Sequence, residues 1–277
     1  MRIRAGFEIT YECPAPTPMW LSLSVHPSRQ GDLETPDQLR ADPHLATNPY
    51  RDGFGNLCTR LVAPAGRITL SSDFVIQDSG LADEAGLDAP ETPLDHLPPE
   101  TLVYLLGSRY CETDRLSDLA WRLFGGTPPG ERRVEAVIDY VHRHIAFDYN
   151  RARPTRTAYE AHEERCGVCR DYAHLAIAFC RCLNLPARYC TGYLGDIGVE
   201  PLPYPGDFSA WFEVYLDGRW RTFDARHAEP RIGRILVAHG RDATDTAIST
   251  AFGPNRLIQF NVFTDELAEA RPRLVSV

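Results

Sequence analysis

The stretch RCGVCRDYAHLAIAFCRCL, residues 165–183, decides the fold of this chain. Its apolar residues recur at the spacing of a helix face, and its second half carries a single charge, so it predicts a largely buried helix that begins near Gly167. Pro186 ends the helix, because proline cannot continue one. Cys169 then lies in the first turn, where unpaired backbone N–H groups and the positive end of the helix dipole favour a thiolate.

A structural role is the alternative for every cysteine of this helix. A cysteine inside a helix usually behaves as a small buried apolar residue, and this is the role we expect for Cys180 and Cys182. The first-turn position sets Cys169 apart from them, and the rest of the chain has to decide its role.

Composition and charge exclude several classes of protein. The 277 residues are 43% hydrophobic and 24% charged, as in an ordinary globular protein of one large or two smaller domains. The net charge of −9, without a Lys/Arg cluster, argues against a nucleic-acid partner. No apolar run reaches the roughly 18 residues of a membrane span, and the first residues lack the apolar region of a signal peptide. We therefore expect a cytoplasmic protein whose cysteines are thiols, and a homo-oligomer is compatible with the sequence.

The pattern along the chain predicts three parts. Residues 1–81 contain stretches with a period of two at 3–11, 19–25 and 67–76, which is typical of strands in a small β-rich, sandwich-like domain. Residues 82–100 are acidic and rich in proline, as expected of a connector. Residues 101–277 form the third part, a core domain.

This third part changes from helical to strand patterns along its length, which predicts an α+β domain. Helical spacing covers 117–124 and 131–145, and a capping box at Thr157–Glu160 begins a short helix. After the central helix, strands are predicted at 187–193, 208–216, 219–224, 235–238 and 257–262, with a hairpin turn at Asp217–Gly218.

These motifs, in this order, resemble the core of the bacterial transglutaminase-like superfamily, and the β-rich first part is similar to the domain that often precedes it. The resemblance rests on GVCRD at 167–171, PARY at 186–189, GY at 192–193, AWFEV at 210–214, Trp220, and FD at 223–224. It implies a papain-like site in which a cysteine at a helix N-terminus packs on an antiparallel sheet that supplies a histidine and an aspartate. Carried over, the nucleophile falls on Cys169 and the orienting acid on Asp224, the substrate being a peptide or protein amide, with no cofactor and no metal.

The sequence departs from the family at the histidine. Ser209 occupies the position where the family has its base, and a serine hydroxyl does not titrate near neutral pH. General acid–base help is worth about 10²–10⁴ in rate, so the sequence predicts a weak or inactive cysteine hydrolase or acyltransferase. No spacing rule supports His227 or His174 as a replacement. Two explanations stay open: a natural member that now binds rather than catalyses, or a serine introduced into an active enzyme.

Further hypotheses concern the surroundings of Cys169. Cys166 and Cys169 form a C-x-x-C pair, but a redox dithiol of the thioredoxin type needs a preceding strand, and a zinc site needs a second pair of ligands.

Trp211 and Tyr193, together with Trp220 and Tyr204, are candidates for the wall of a substrate cleft. At strand positions such aromatic residues are more often plain core. A binding or scaffold protein that uses the same cleft is the alternative to the enzyme.

Overall fold

The computed structural model describes residues 1–86, 88–201 and 206–268. Helices are confined to the middle of the chain, and strands lie on both sides of them. The helices are α1 (Thr113–Phe124), α2 (Glu131–His144), α3 (Ala158–Glu164) and α4 (Cys169–Cys182). The strands are β1 (Arg2–Cys13), β2 (Thr17–Leu21), β3 (Arg40–Asp42), β4 (Asn48–Arg51), β5 (Leu57–Ala63), β6 (Gly66–Gln77), β7 (Ala146–Phe147), β8 (Cys166–Gly167), β9 (Ala187–Tyr193), β10 (Phe208–Leu216), β11 (Arg219–Phe223), β12 (Ile235–Gly240), β13 (Ser249–Ala251) and β14 (Arg256–Leu267).

The first part of the chain forms two antiparallel sheets around one apolar core. One sheet has the strand order β14-β1-β6-β3 and the other the order β13-β2-β5-β4. Alternate residues of β1, among them Phe7 and Ile9, are buried in this core, because successive side chains of a strand point to opposite faces. The predicted strands at 3–11 and 67–76 correspond to β1 and β6, whereas β2 ends at Leu21 rather than at Val25.

The central helix packs on an antiparallel sheet, so the predicted α+β class is confirmed. This sheet has the order β11-β10-β9-β12, and alternate residues of β10, including Phe212 and Val214, share one core with α4. The ends of β9 and β10 coincide with the predicted ones, and the hairpin turn lies at Asp217–Gly218, where both residues have positive φ.

The last two strands of the chain return to the sheets of the first part. β14 pairs with β1 along its whole length, from Arg2 opposite Leu267 to Glu12 opposite Arg256. β13 pairs with β2. The three sequence ranges predicted as domains remain a prediction, but the sheets do not follow them, because residues 249–267 complete sheets that residues 2–77 begin. The apolar core of the first part also includes Tyr193 and Phe208 of the central sheet.

Candidate active site at the start of the central helix

The first turn of α4 is held in place by a buried carboxylate. Asp171 accepts a hydrogen bond from the backbone N–H of Val168 at 2.9 Å and one from Arg156 Nη1 at 3.1 Å. A Cβ at Gly167 would lie 2.6 Å from the Cβ of Asp171, so only glycine fits where the chain crosses this carboxylate. These contacts give the GVCRD motif a physical basis, because they fix the backbone that presents Cys169 as the first residue of the helix.

Cys169 combines an activating position with a poorly solvated thiol. Burial raises the pKa of Cys169 to about 11, while the guanidinium of Arg226 and the backbone N–H of Ala210 act in the opposite direction. The helix terminus therefore does not by itself make the thiol a thiolate at neutral pH, contrary to the expectation from its position. Activation of Cys169 requires a base.

Asp224 lies directly after β11 and is buried. Burial alone would raise its pKa, but the hydrogen bond from His227 and the charge of Arg234 hold the pKa of this carboxyl well below its usual range. Oδ1 of Asp224 accepts hydrogen bonds from the backbone N–H groups of Arg226 (2.9 Å) and His227 (3.1 Å). Asp224 is therefore ionised and fully partnered, as an orienting carboxylate must be.

Asp224 is hydrogen-bonded to His227, a histidine that no spacing rule in the sequence supported as the base. His227 Nδ1 lies 2.9 Å from Asp224 Oδ2, and Arg234 Nη2 lies 2.9 Å from the same oxygen. Because a carboxylate only accepts, Nδ1–H donates, and Nε2 of the neutral ring is left as a proton acceptor. The sequence signal was the short spacing in FDARH, residues 223–227, since the turn after a strand can fold a side chain back onto the residue three positions before it.

Ser209 is the second residue of β10. Its Oγ is buried and has no hydrogen-bond partner among the described residues. β11 pairs with β10 only from Phe212 onwards, which leaves the beginning of β10 open beside the start of α4. At Ser209, the position where the resemblance predicts a base, the structure thus has a small side chain with an unused hydroxyl.

Two cavities meet at the segment 207–209. One, of about 450 Å³, is lined by Ser209, Arg226 and His227, and the other, of about 460 Å³, is lined by Cys169, Ser209 and Ala210. Asp207 borders both, and desolvation raises its pKa to about 6, although the residue as a whole is exposed and its charge is therefore screened. The segment 207–209 thus borders both the cavity that His227 lines and the cavity that Cys169 lines.

The aromatic residues predicted to line the cleft lie elsewhere. Tyr193 is fully buried and meets Phe74 edge to face at 5.6 Å, and Trp211 is buried with the guanidinium of Arg234 over its ring at 5.1 Å. Neither residue lines the two cavities at 207–209. Tyr193 belongs to the apolar core of the first part, whereas Trp211 is buried on the face of β10 opposite the residues that pack on α4. Trp220 meets Tyr104 edge to face, and Tyr204 lies outside the described residues.

The other candidate residues have structural partners. His174 is buried, its Nε2 accepts a hydrogen bond from the N–H of Ala243 at 3.1 Å, and burial lowers its pKa to about 3. Cys166 lies in β8 with Arg156 Nη2 at 3.7 Å from its sulfur, and all eight cysteines are free thiols. In the part of the chain that the structure describes, no group of three His, Cys, Asp or Glu side chains could hold a metal ion, and no helix is long and apolar enough to cross a membrane.

A thiol at the start of a buried helix, packed on an antiparallel sheet that ends in a buried carboxylate, defines a site of the cysteine-protease type. Residues 117–225 match the model of the transglutaminase-like superfamily core, a range that includes Cys169, Ser209 and Asp224. Residues 117–225 thus contain a transglutaminase-like core, and the match to this model and to a solved structure supports the superfamily.

Similar proteins extend the likeness beyond the core. The structure of a candidate cysteine protease from Cytophaga hutchinsonii is 28% identical and covers 98% of this chain and 92% of that one, with a TM-score of 0.84. An uncharacterized protein of Mycobacterium leprae is 24% identical over 268 residues, 89% of this chain and 90% of the relative. An uncharacterized protein of Mycobacterium tuberculosis is 28% identical over 248 residues, 75% of this chain and 73% of the relative.

Proposed function

We propose that this protein is a thiol-dependent hydrolase or acyltransferase that cleaves an amide bond through a thioester on Cys169. The observation that carries the proposal is the partly buried hydrogen bond between Asp224 and His227, beside the segment that also borders the cavity of Cys169. It supplies the two groups, an oriented imidazole and its carboxylate, that a neutral thiol needs for activation. The likeness to the candidate cysteine protease from Cytophaga hutchinsonii agrees with this class of reaction.

Each group has a defined part in the reaction. His227 Nε2 accepts the proton of Cys169, Sγ attacks the carbonyl carbon, and the proton passes to the leaving amine as the C–N bond breaks. Water or a second amine then attacks the thioester and releases Cys169. Asp224 keeps the ring of His227 in the tautomer that accepts at Nε2, and Ser209, being small, leaves room for a base that comes from the loop after β11 rather than from β10.

The reaction is slow in this proposal, in keeping with the weak activity that the sequence predicts. The thiol has a raised pKa of about 11, so almost all of it is protonated at pH 7 and proton transfer accompanies attack. His142 Nδ1–H donates to the carbonyl of Arg226 at 2.9 Å and so restrains the loop that carries His227.

A binding protein without catalysis is the second candidate. It is favoured by the same raised pKa of Cys169 and by the unused hydroxyl of Ser209. In that case the cavities beside residues 207–209 hold a ligand, and His227 serves only as a hydrogen-bond donor to Asp224.

The rate of Cys169 alkylation against pH separates the two candidates. We would compare the full chain with His227→Gln, Ser209→His and Cys169→Ala, using His96→Gln at an exposed histidine as the matched control. If His227 is the base, the alkylation rate of the natural chain rises with pH between roughly pH 5 and 8. His227→Gln lacks this rise, and its alkylation rate at neutral pH is lower by about 10²-fold. Ser209→His in the His227→Gln background restores this rise of the alkylation rate, because it returns a base to the position where the family has its histidine.

Two outcomes contradict the enzyme. If His227→Gln alkylates at the rate of the natural chain at every pH, His227 is not the base. If Ser209→His also fails to create reactivity below the alkaline range, the site is not assembled for catalysis and the binding protein is supported.

The proposal also includes the class of substrate and the cellular location. The negative charge and the lack of a Lys/Arg cluster favour a peptide or protein amide over a nucleic acid as partner, and we infer a cytoplasmic location from the thiol cysteines. Cell fractionation tests the location, and recovery with periplasmic or secreted proteins would overturn it.

A further inference from the structure

The cavity that contains Cys169 has a wall built from small and apolar side chains. Its volume is about 460 Å³, and alanines at 152, 210, 243 and 247 contribute only methyl groups to it. Ile248, Phe208 and Phe260 supply larger apolar surface. Space left by short side chains next to a nucleophile is the form of a pocket for one substrate side chain.

Several polar groups of the same wall are already engaged, whereas Ser209 Oγ has no partner among the described residues and Asp207 is exposed. Thr191 Oγ1 donates to the carbonyl of Ser209 at 3.0 Å. Arg153 forms ion pairs with Glu160 and Glu164. Few hydrogen-bonding groups are therefore free to receive a polar side chain.

Arg170 brings a further charge to the wall of the cavity, and this charge has partners. Arg170 lies over the ring of Tyr110 at 5.7 Å and 3.5 Å from Asp171, while Tyr110 stacks on His174 at 5.0 Å. Tyr110 thus adds flat aromatic surface to the wall, and the charge of Arg170 is paired with Asp171.

We propose that this cavity binds the side chain of the acyl residue of the substrate, and that this side chain is uncharged and apolar, aliphatic or aromatic. The proposal rests on the proposed thioester chemistry at Cys169. An apolar side chain gains free energy by leaving water for the apolar part of these walls, whereas a glutamine, lysine or aspartate side chain would lose hydrogen bonds that the alanines, Ile248, Phe208 and Phe260 cannot replace.

The walls of this cavity lie largely outside the family core. Tyr110, Ala243, Ala247, Ile248 and Phe260 all fall beyond residues 117–225. Phe260 belongs to β14, which pairs with the first strand of the chain. The preference for the acyl residue is therefore set by segments specific to this architecture and does not follow from membership of the superfamily.

Irreversible labels test the preference without requiring turnover. We would treat the full chain at about pH 9, where more of the thiol is ionised, with acetyl-aminoacyl acyloxymethyl ketones that carry Leu, Phe, Gln, Lys or Asp side chains, and follow labelling of Cys169 by intact mass. The Leu and Phe labels should react at least roughly tenfold faster than the other three, a discrimination typical of an apolar pocket. Iodoacetamide, which needs no pocket, gives the reference rate.

A cavity-filling variant locates the effect. Ala247→Trp should abolish the advantage of the Leu and Phe labels over the other three, with each labelling rate divided by the iodoacetamide rate of the same variant. Ala46→Trp, at an exposed alanine, is the matched control, and thermal unfolding confirms that both variants are folded.

The possible failures are distinguishable. Equal rates for all five ketones, or a faster Gln, Lys or Asp label, would overturn the apolar pocket while leaving thioester chemistry intact. If Cys169 reacts with iodoacetamide at the rate of an unactivated thiol and with none of the ketones, the proposed function fails with it.

Discussion

Glycine at position 167 is a requirement of the site rather than of the helix. A methyl group there would meet the Cβ and a carboxylate oxygen of Asp171 at 2.6 and 2.7 Å, closer than side chains approach one another. Gly167→Ala should therefore push Asp171 away from Arg156, lower the free energy of unfolding by about 1–3 kcal/mol and slow Cys169 alkylation.

Urea unfolding and the alkylation rate measure the two effects of Gly167→Ala. The matched control is Gly126→Ala, because a Cβ at Gly126 meets nothing within 4 Å. Equal unfolding midpoints for the two variants would show that the contact with Asp171 relaxes at no cost.

Asp224 makes the fold sensitive to acid. Its pKa in the folded chain lies below the unfolded value of about 3.9, so its contribution to stability is present above that value and is lost as the pH falls through the folded pKa. Asp224→Asn should lower stability at pH 7 and flatten the decline below about pH 4. Urea unfolding between pH 2 and 7 measures this, and an unchanged acid slope in the variant would assign the decline to other carboxyl groups.

At the scale of the element, the short helix α3 depends on its first residue. The side chain of Thr157 accepts from the N–H of Glu160 at 3.3 Å, and the carboxylate of Glu160 accepts from the N–H of Thr157 at 3.0 Å. Thr157→Ala should destabilise the protein by about 1 kcal/mol, since it leaves one N–H group without a partner. Thermal unfolding measures the loss, with the exposed Thr244→Ala as control. A variant as stable as the natural chain would mean that water replaces the cap.

The elements that could be predicted from the sequence are those whose signals are local. The capping box at Thr157, the proline after α4 and the Asp217–Gly218 turn each act within a few residues, and the observed helix and strands follow them. The pairing of β14 with β1 was not predictable in this way, because an alternating pattern specifies a strand but not its partner.

The candidate site was likewise predictable from the sequence only in part. Motif order placed Cys169, Ser209 and Asp224, but the contact between Asp224 and His227 depends on the path of the loop after β11, which Arg234 and His142 help to fix from distant positions. The raised pKa of Cys169 likewise reflects burial by several elements, which no position in a helix reveals. Trp211 and Tyr193 are core for the same reason: the partner face of a strand is set by tertiary packing.

At the scale of the whole molecule, the β-sheets of the first part and the central sheet share apolar contacts. Phe7 of β1 meets Phe208 of β10 with ring centroids 6.2 Å apart, and Phe208 meets Tyr193 at 4.9 Å. Phe208 is adjacent to Ser209, so the core that joins the sheets reaches the candidate active site. Because the last strands also return to the first sheets, we expect residues 1–81 and 101–277 to unfold together.

A substitution far from Cys169 tests this coupling. Phe7→Ala removes a buried ring and should destabilise the whole chain by about 3–5 kcal/mol. Native-state hydrogen exchange, read by mass spectrometry, should show the free energy of opening falling by the same amount in peptides from β1 and from α4. Phe252→Ala, at a phenylalanine that is 67% exposed, should change neither. Loss of protection in β1 with full protection in α4 would instead mean that the two parts fold independently, as the sequence boundaries suggest, and that the contact through Phe208 is an interface between separate domains.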